Sequence, residues 1–307
     1  MSLTLPPKDV YTLADLATWP SGRGTWLAVL GQPIKHSLSP GMHGAALREM
    51  AAENARFRDW RYVRFEVSPE DLPAALTAFH AKGFLGLNLT VPHKIIAVPH
   101  VAKIDEKTRR IGAVNTLRRT TKGWEGFNTD GYGLVNGMAA DLGAKLRDAD
   151  VILLGAGGAA RGAAVECLEQ GCRSLWIGNR TPENLQSLIA LLQPLAGKTT
   201  IYGFDLAKPP RELPRSAWVI NATSAGLKPT DPRPIELAKI PKPSGVYDMI
   251  YNPAETLLLG DARRIRVPAA NGLSMLVHQG ARALEIWSER AVPVAAMEKS
   301  VKNALGR

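Results

Sequence analysis

Cysteine is scarce: Cys167 and Cys172 are the only two in 307 residues. A disulfide framework or a structural zinc site needs more ligands and other spacing, so two reduced thiols are expected. The six histidines show no H-E-x-x-H or comparable spacing, and no metal site is expected. No run approaches the roughly 18 uninterrupted apolar residues of a membrane span. Residues 1–9 lack the basic stretch followed by an apolar one that marks an export signal, so a cytoplasmic location is expected. Internal repeats and low-complexity tracts are missing too, which sets aside repeat and fibrous architectures.

Acids are outnumbered, 28 Asp and Glu against 38 Lys and Arg, giving a net charge of +10. That balance suits anionic partners of any kind. A nucleic-acid binder would cluster its cations among aromatic stacking positions. Here Arg109-Arg110, Arg118-Arg119 and Arg263-Arg264 are scattered pairs. Neither nucleic acid nor a membrane is an expected partner, and most of the excess reads as solvated surface.

What is present is ordinary for a globular chain: 45% apolar and 21% charged residues, at a length that suits two domains. Residues 26–30 read as a buried strand. Ser39-Pro40 opens a helix to about Ala52, with a hydroxyl cap and proline at the first helical position. Residues 62–67 alternate like a strand, 68–71 open another helix, and 84–90 form a third strand. Residues 113–118 and 123–126 suit strands joined by a turn. Further on, 151–154 is an all-apolar run typical of a strand covered on both faces. A glycine turn, a helix to about Gln170, a strand at 174–177 and a helix capped by Thr181-Pro182-Glu183 follow. Strands are expected at 218–221, 246–250 and 265–268, and helix from Leu273 onward with a break at Pro293. The β-α-β alternation predicts a parallel sheet with helices on both sides.

Gly155-Ala156-Gly157-Gly158-Ala159-Ala160 lies between a strand and a helix, the context a dinucleotide fingerprint requires. Gly155 permits the tight turn, Gly157 lets the backbone approach a pyrophosphate, and Ala160 allows close packing of helix on strand. The phosphates would meet free amides at a positive helix end. NAD binding usually places an acid at the end of the next strand. Asn179-Arg180-Thr181 offers none. Arg180 either pairs with a 2′-phosphate, which favours NADP(H), or is a solvated loop charge.

The first third carries polar groups at strand ends. Ser37 and Ser39 stand at a strand–helix junction, where they either hold a carboxylate or serve as an ordinary cap. Asn88 and Thr90 alternate along a strand, and Lys94 follows a proline turn. Asn115 and the Asn128-Thr129-Asp130 run add amide, hydroxyl and carboxylate groups. Each alone is turn chemistry; together they suit a small polyol with an acid group.

In this order and company, the Gly31-to-Pro40, Asn88-to-Lys94, Asn115, Asn128-to-Gly131, glycine-turn and Asn179-to-Thr181 motifs resemble the shikimate dehydrogenase family. The resemblance continues through Asn221-Ala222-Thr223-Ser224-Ala225-Gly226, Asp248-Met249-Ile250-Tyr251 and the Gly272-to-Gln279 stretch, leaving the first 25 residues unmatched. It implies an α/β fold: an N-terminal substrate-binding domain (1–130), a Rossmann-type doubly wound NADP-binding domain (131–271), and C-terminal helices (272–307) returning to the first. It also implies reversible reduction of 3-dehydroshikimate to shikimate with NADPH, by a monomer or homodimer acting on a small molecule. Lys94 is then the acid–base or charge-stabilising group and Asp130 its charged partner. Ser37, Ser39 and Thr90 would hold the substrate carboxylate, aided by Tyr251. Asn88, Asn115, Asp130 and Gln279 would complete the substrate set. On the cofactor side the resemblance adds Met249, Gly272 and Met275 to Gly155, Ala156, Gly157, Gly158, Ala159, Asn179, Arg180 and Thr181. His36 and His93 are read as neighbours of these motifs. An enzyme that also takes quinate, or uses NAD, is the nearest alternative.

Overall fold

The computed structural model describes residues 8–20, 24–228 and 230–306. Residues 1–7, most of the segment read for an export signal, lie outside them. The chain divides into two compact units, Met1–Thr129 with Gly280–Arg307, and Asp130–Gln279.

The first unit holds α1 (Leu13–Ala17), β1 (Thr25–Gly31), α2 (Ser39–Glu53), β2 (Trp60–Glu66), α3 (Leu72–Ala81) and β3 (Gly86–Leu89). It continues with α4 (His93–Ile96), β4 (Lys103–Ile104), α5 (Glu106–Ile111), β5 (Thr116–Thr120) and β6 (Gly123–Phe127). Its sheet runs β2-β1-β3-β5-β6-β4. β1 is parallel to both β2 and β3, while β5 is antiparallel to β3 and to β6. β1 is buried along nearly its whole length, as a central strand covered on both faces must be. Trp19, Trp26, Phe65, Phe79 and Phe84 form the aromatic heart of the core, with Phe79 and Phe84 edge-to-face at 4.7 Å.

The second unit holds α6 (Asp130–Leu142), β7 (Asp150–Leu154), α7 (Gly158–Glu169), β8 (Ser174–Asn179), α8 (Pro182–Leu192) and β9 (Thr200–Asp205). β10 (Trp218–Asn221), β11 (Gly245–Asp248), α9 (Leu257–Arg264) and β12 (Ala269–Asn271) complete its sheet, in the order β12-β11-β10-β7-β8-β9. All five pairings are parallel. The chain steps outward from β7 to β9, then returns beside β7 at β10, so the order reverses between β7 and β10. Ligands of open parallel sheets bind outside the carboxyl ends of the strands at such a reversal.

α10 (Leu273–Ser288) begins in the second unit and ends in the first, to which α11 (Val294–Ala304) also belongs. Within the first unit, Trp287 donates its indole N–H to the Leu117 carbonyl at 2.9 Å. A Cβ at Gly86 would lie 2.2 Å from that indole nitrogen, so only glycine admits the ring.

Three local expectations are corrected. The α2 helix starts at Ser39 itself, behind Leu38, with no side-chain cap; the Ser39 amide instead meets the Ser37 hydroxyl at 3.4 Å. Thr181 precedes α8 but caps nothing through its side chain. Residues 265–268 are not a strand: Ile265 ends α9, Arg266 takes a left-handed φ of 56°, and pairing starts at Ala269. The exposed edge strand β9 and the two-residue β4 have no counterpart in the sequence reading.

Among the described residues no helix is long and apolar enough to cross a membrane, and no group of three His, Cys, Asp or Glu could hold a metal ion. Cys167 and Cys172 are buried thiols, and burial pushes that of Cys172 up to about 11.

Candidate functional site

In the first unit the singled-out residues fall at the carboxyl ends of β1 and β3 and the start of β5. Ser37 occupies the loop after β1, and its carbonyl accepts from Arg64 Nη1 at 3.0 Å. Ser39 is buried at the head of α2. Asn88 is buried in β3, and Thr90 lies one residue beyond that strand, its amide bonded to the Leu30 carbonyl at 3.0 Å. Lys94 belongs to the single turn α4, half-buried, and its carbonyl accepts from the Val114 amide at 2.8 Å. That bond ties α4 to the segment leading into Asn115.

Asn88, Asn115, Thr116 and Thr129 form one buried hydrogen-bonded chain. Asn88 Nδ2 donates to the Asn115 carbonyl at 3.1 Å and to Thr116 Oγ1 at 3.0 Å. Thr116 Oγ1 donates to Asn115 Oδ1 at 3.0 Å, which also accepts from the Thr129 amide at 2.9 Å. Asn115 Nδ2 donates to Thr129 Oγ1 at 3.0 Å. Asn128 is anchored separately, donating to the Ala113 carbonyl at 2.9 Å. Asn88 and Asn115 stand out in the sequence, whereas Thr116, Thr129 as a partner, and Tyr62 do not. The Tyr62 hydroxyl donates to Asn88 Oδ1 at 2.7 Å. Lone tyrosines in alternating strands ordinarily read as core, so no local signal marks it.

His93, beside Lys94, is fully buried with Nε2 on the Val67 carbonyl at 2.9 Å. Burial lowers its basicity, the carbonyl opposing. His36 lies in the exposed part of the loop after β1. Neither is among the hydrogen-bonded groups of the polar chain.

In the second unit the glycine turn follows β7 at the strand-order reversal. Gly155 has φ +112°, and a Cβ there would stand 3.0 Å from the Ala222 carbonyl oxygen at the end of β10. Gly157 has nothing within 4 Å of its Cβ position, so the space above the turn is open where a phosphate would approach. Gly158 and Ala159 begin α7, and Ala160 is fully buried against the sheet. At the end of β8, Asn179 Nδ2 donates to the Thr181 carbonyl at 2.9 Å, and Arg180 is exposed between them with no carboxylate at the strand end. Arg161 on α7, not anticipated, reaches Ser187 at 3.4 Å on α8 and has its Nε buried without a partner.

The far side of the turn is built from β10, β11 and the start of α10. Asp248 is fully buried and accepts from Asn221 Nδ2 at 2.9 Å, Thr256 Oγ1 at 2.7 Å and the Ile250 amide at 3.1 Å. Burial raises this carboxyl above its usual range, with the three donors opposing. The network fixes the segment carrying Met249 and Tyr251. A Cβ at Gly272 would overlap the Met249 carbonyl at 2.1 Å, so Met249 and Gly272 lie in direct contact, with Met275 buried one turn along α10. Asp130 is the buried first residue of α6, and Gln279 donates to the Leu276 carbonyl at 2.9 Å. Ser37, Ser39, Asn88, Thr90, Lys94 and Asn115 thus belong to the first unit; Asp130, Tyr251, Gln279 and all the cofactor candidates belong to the second.

Residues 29–117 match the shikimate dehydrogenase substrate binding domain, and residues 272–302 the shikimate 5'-dehydrogenase C-terminal domain. A shikimate dehydrogenase (NADP(+)) of Thermosynechococcus vestitus is 36% identical over 93% of this chain and 98% of its own. One from Moorella thermoacetica is 38% identical over 91% and 93%. The crystal structure of shikimate 5-dehydrogenase from Thermus thermophilus in complex with NADP(H) and shikimate has a TM-score of 0.79 at 32% identity, covering 92% of this chain and all of that one.

Proposed function

The chain belongs to the shikimate dehydrogenase family, and from that premise we propose that it catalyses the NADP-dependent, reversible reduction of 3-dehydroshikimate to shikimate. The observation that carries the reading is the open glycine turn at the strand-order reversal, followed by Arg180 where an acid would select NAD. We place it among cytoplasmic enzymes working as a monomer or homodimer on a small hydroxy acid, with no role for nucleic acid.

The second unit fits a dinucleotide. Gly155, Ala156, Gly157, Gly158 and Ala159 would present backbone amides to the pyrophosphate at the α7 N-terminus. Arg180, with Asn179 and Thr181, would take the 2′-phosphate bidentately. Met249, Gly272 and Met275 would line the nicotinamide end. When bound, NADPH supplies the hydride.

The chain's own groups do the rest. Ser37, Ser39 and Thr90, with Tyr251, would hold the carboxylate; Asn88, Asn115, Asp130 and Gln279 would hold the ring hydroxyls. Lys94 would place an N–H at the C3 oxygen, handing over a proton or stabilising the developing alkoxide. Shikimate and quinate, each with NADP and NAD, form the deciding assay. Shikimate-dependent NADPH formation at alkaline pH is expected, and its absence would remove the proposal. Quinate turnover matching that of shikimate would move it to the dual-substrate alternative.

A further inference from the structure

Tyr62 lies in β2 with its ring edge-on to His43 at 4.1 Å and tilted against Trp287 at 6.3 Å. Neither ring nitrogen of His43 has a hydrogen-bond partner, so the histidine does not compete for the phenol. The direction of every bond along the neighbouring polar chain follows from which groups can donate. The Asn115 main-chain carbonyl only accepts, so the Asn88 atom 3.1 Å from it is Nδ2. The second Nδ2 proton goes to Thr116 Oγ1. Asn88 Oδ1 therefore faces the phenol, and the phenol's single proton goes to it at 2.7 Å. Donation then runs from Tyr62 to Asn88, on to Thr116 and into Asn115 Oδ1, where the Thr129 amide also donates, an arrangement in which each bond from the phenol to Asn115 polarises the next.

We propose that Tyr62 is a positioning residue for the substrate-binding groups of the first unit, holding Asn88 through its proton. The inference rests on the reading that Asn88 and Asn115 meet the substrate. A phenylalanine would fill the same space but leave Asn88 Oδ1 buried without its donor. Burial pushes the phenol far above its ordinary range, so it stays protonated wherever the enzyme works.

Tyr62→Phe is the test, assayed beside the wild type. Wild-type turnover of shikimate with NADP comes first, since its absence removes the functional reading itself. Given normal wild-type turnover, Tyr62→Phe should raise KM for shikimate about tenfold, the scale of one buried unsatisfied acceptor. KM for NADP should stay within about twofold and kcat within about threefold. In an Asn88→Ala background the same change should have less than about half its effect on a logarithmic scale. An unchanged shikimate KM, equal rises in both KM values, or full additivity with Asn88→Ala would each overturn the role. Should Tyr62→Phe not fold, the wild type with 13Cζ-tyrosine serves: the Tyr62 resonance should move on adding shikimate and not on adding NADP. A resonance unmoved by shikimate would overturn the proposal equally.

Discussion

Lys94, the proposed acid–base group, sits on very little structure. The helix bearing it is one turn long, yet the Val114 amide on its carbonyl and His93 on the Val67 carbonyl brace that turn from two sides. Precision at such a residue comes from its neighbours' hydrogen bonds. Lys94→Ala should therefore lower kcat by roughly 10²- to 10⁴-fold, the range of a positioned proton donor. Shikimate affinity, read by calorimetric titration, should fall far less. His43 makes a second single-residue prediction. Burial holds its imidazole near 3, against an ordinary 6.5. Above pH 6.5 neither folded nor unfolded chain takes up this proton. As pH falls below 6.5 the unfolded chain binds it and the native one does not, so stability drops. Between pH 7 and 5 the loss is about 2 kcal/mol. Glu125, Asp150 and Asp261 are held low by Lys103, Arg173 and Arg233, so their contributions are lost only at more acid pH. Urea unfolding of His43→Leu should show a pH 7-to-5 drop smaller by about that amount than the wild type, His93 contributing equally to both.

At the scale of elements, the glycine turn separates two requirements that look alike on paper. Gly155 needs its positive φ and its closeness to Ala222; Gly157 has an ordinary φ of −80° and open space. Gly155→Ala should cost about 1–3 kcal/mol of stability by thermal unfolding, through backbone strain. Gly157→Ala should leave the midpoint nearly unchanged and raise KM for NADP, because its methyl would occupy the open space proposed for the phosphate. The same region shows why some elements were legible and others not. Val151, Ile152, Leu153 and Leu154 admit only a fully covered strand, and the glycines after them only a tight turn. Val267 and Ile265 mimic strand alternation, but Ile265 is 47% exposed and merely ends a helix. β9 carries Ile201, Tyr202 and Phe204, but Gly203 interrupts the run and only Phe204 is buried because the strand is an edge, so no sustained alternation marks it. Within the site, residue types with few structural uses at strand ends, such as Asn88, Lys94 and Asn115, could be singled out. Tyr62 and Thr116 could not, since their importance lies in which long-range partner they meet.

For the whole molecule, the decisive fact is that one unit is continuous in sequence and the other is not. Asp130–Gln279 holds a complete six-stranded parallel sheet and its covering helices. Expressed alone, that segment should fold cooperatively and gain about 2.7 kcal/mol of stability at NADP concentrations 100 times its dissociation constant. Calorimetric melts with and without NADP check this. The segment ending at Thr129 should melt less cooperatively than it does in the full chain, because Trp287, α11 and the second half of α10 belong to the same unit. Charge plays little part at this scale. The +10 excess is largely spread over the surface, and the cations with assigned work are few.

The slot over Gly86 gives the discontinuity a temporal meaning. While the chain emerges from a ribosome, β3 is made early and the indole that fills the space above it is made near the end. At roughly 5–20 residues per second, the opening unit waits on the order of ten to thirty seconds with that seat vacant. The second unit, encoded between the two pieces, is complete while the first still lacks its last 28 residues. During that interval the nascent chain is most exposed to chaperones and proteases, and the final helices close the interval rather than merely lengthening the protein.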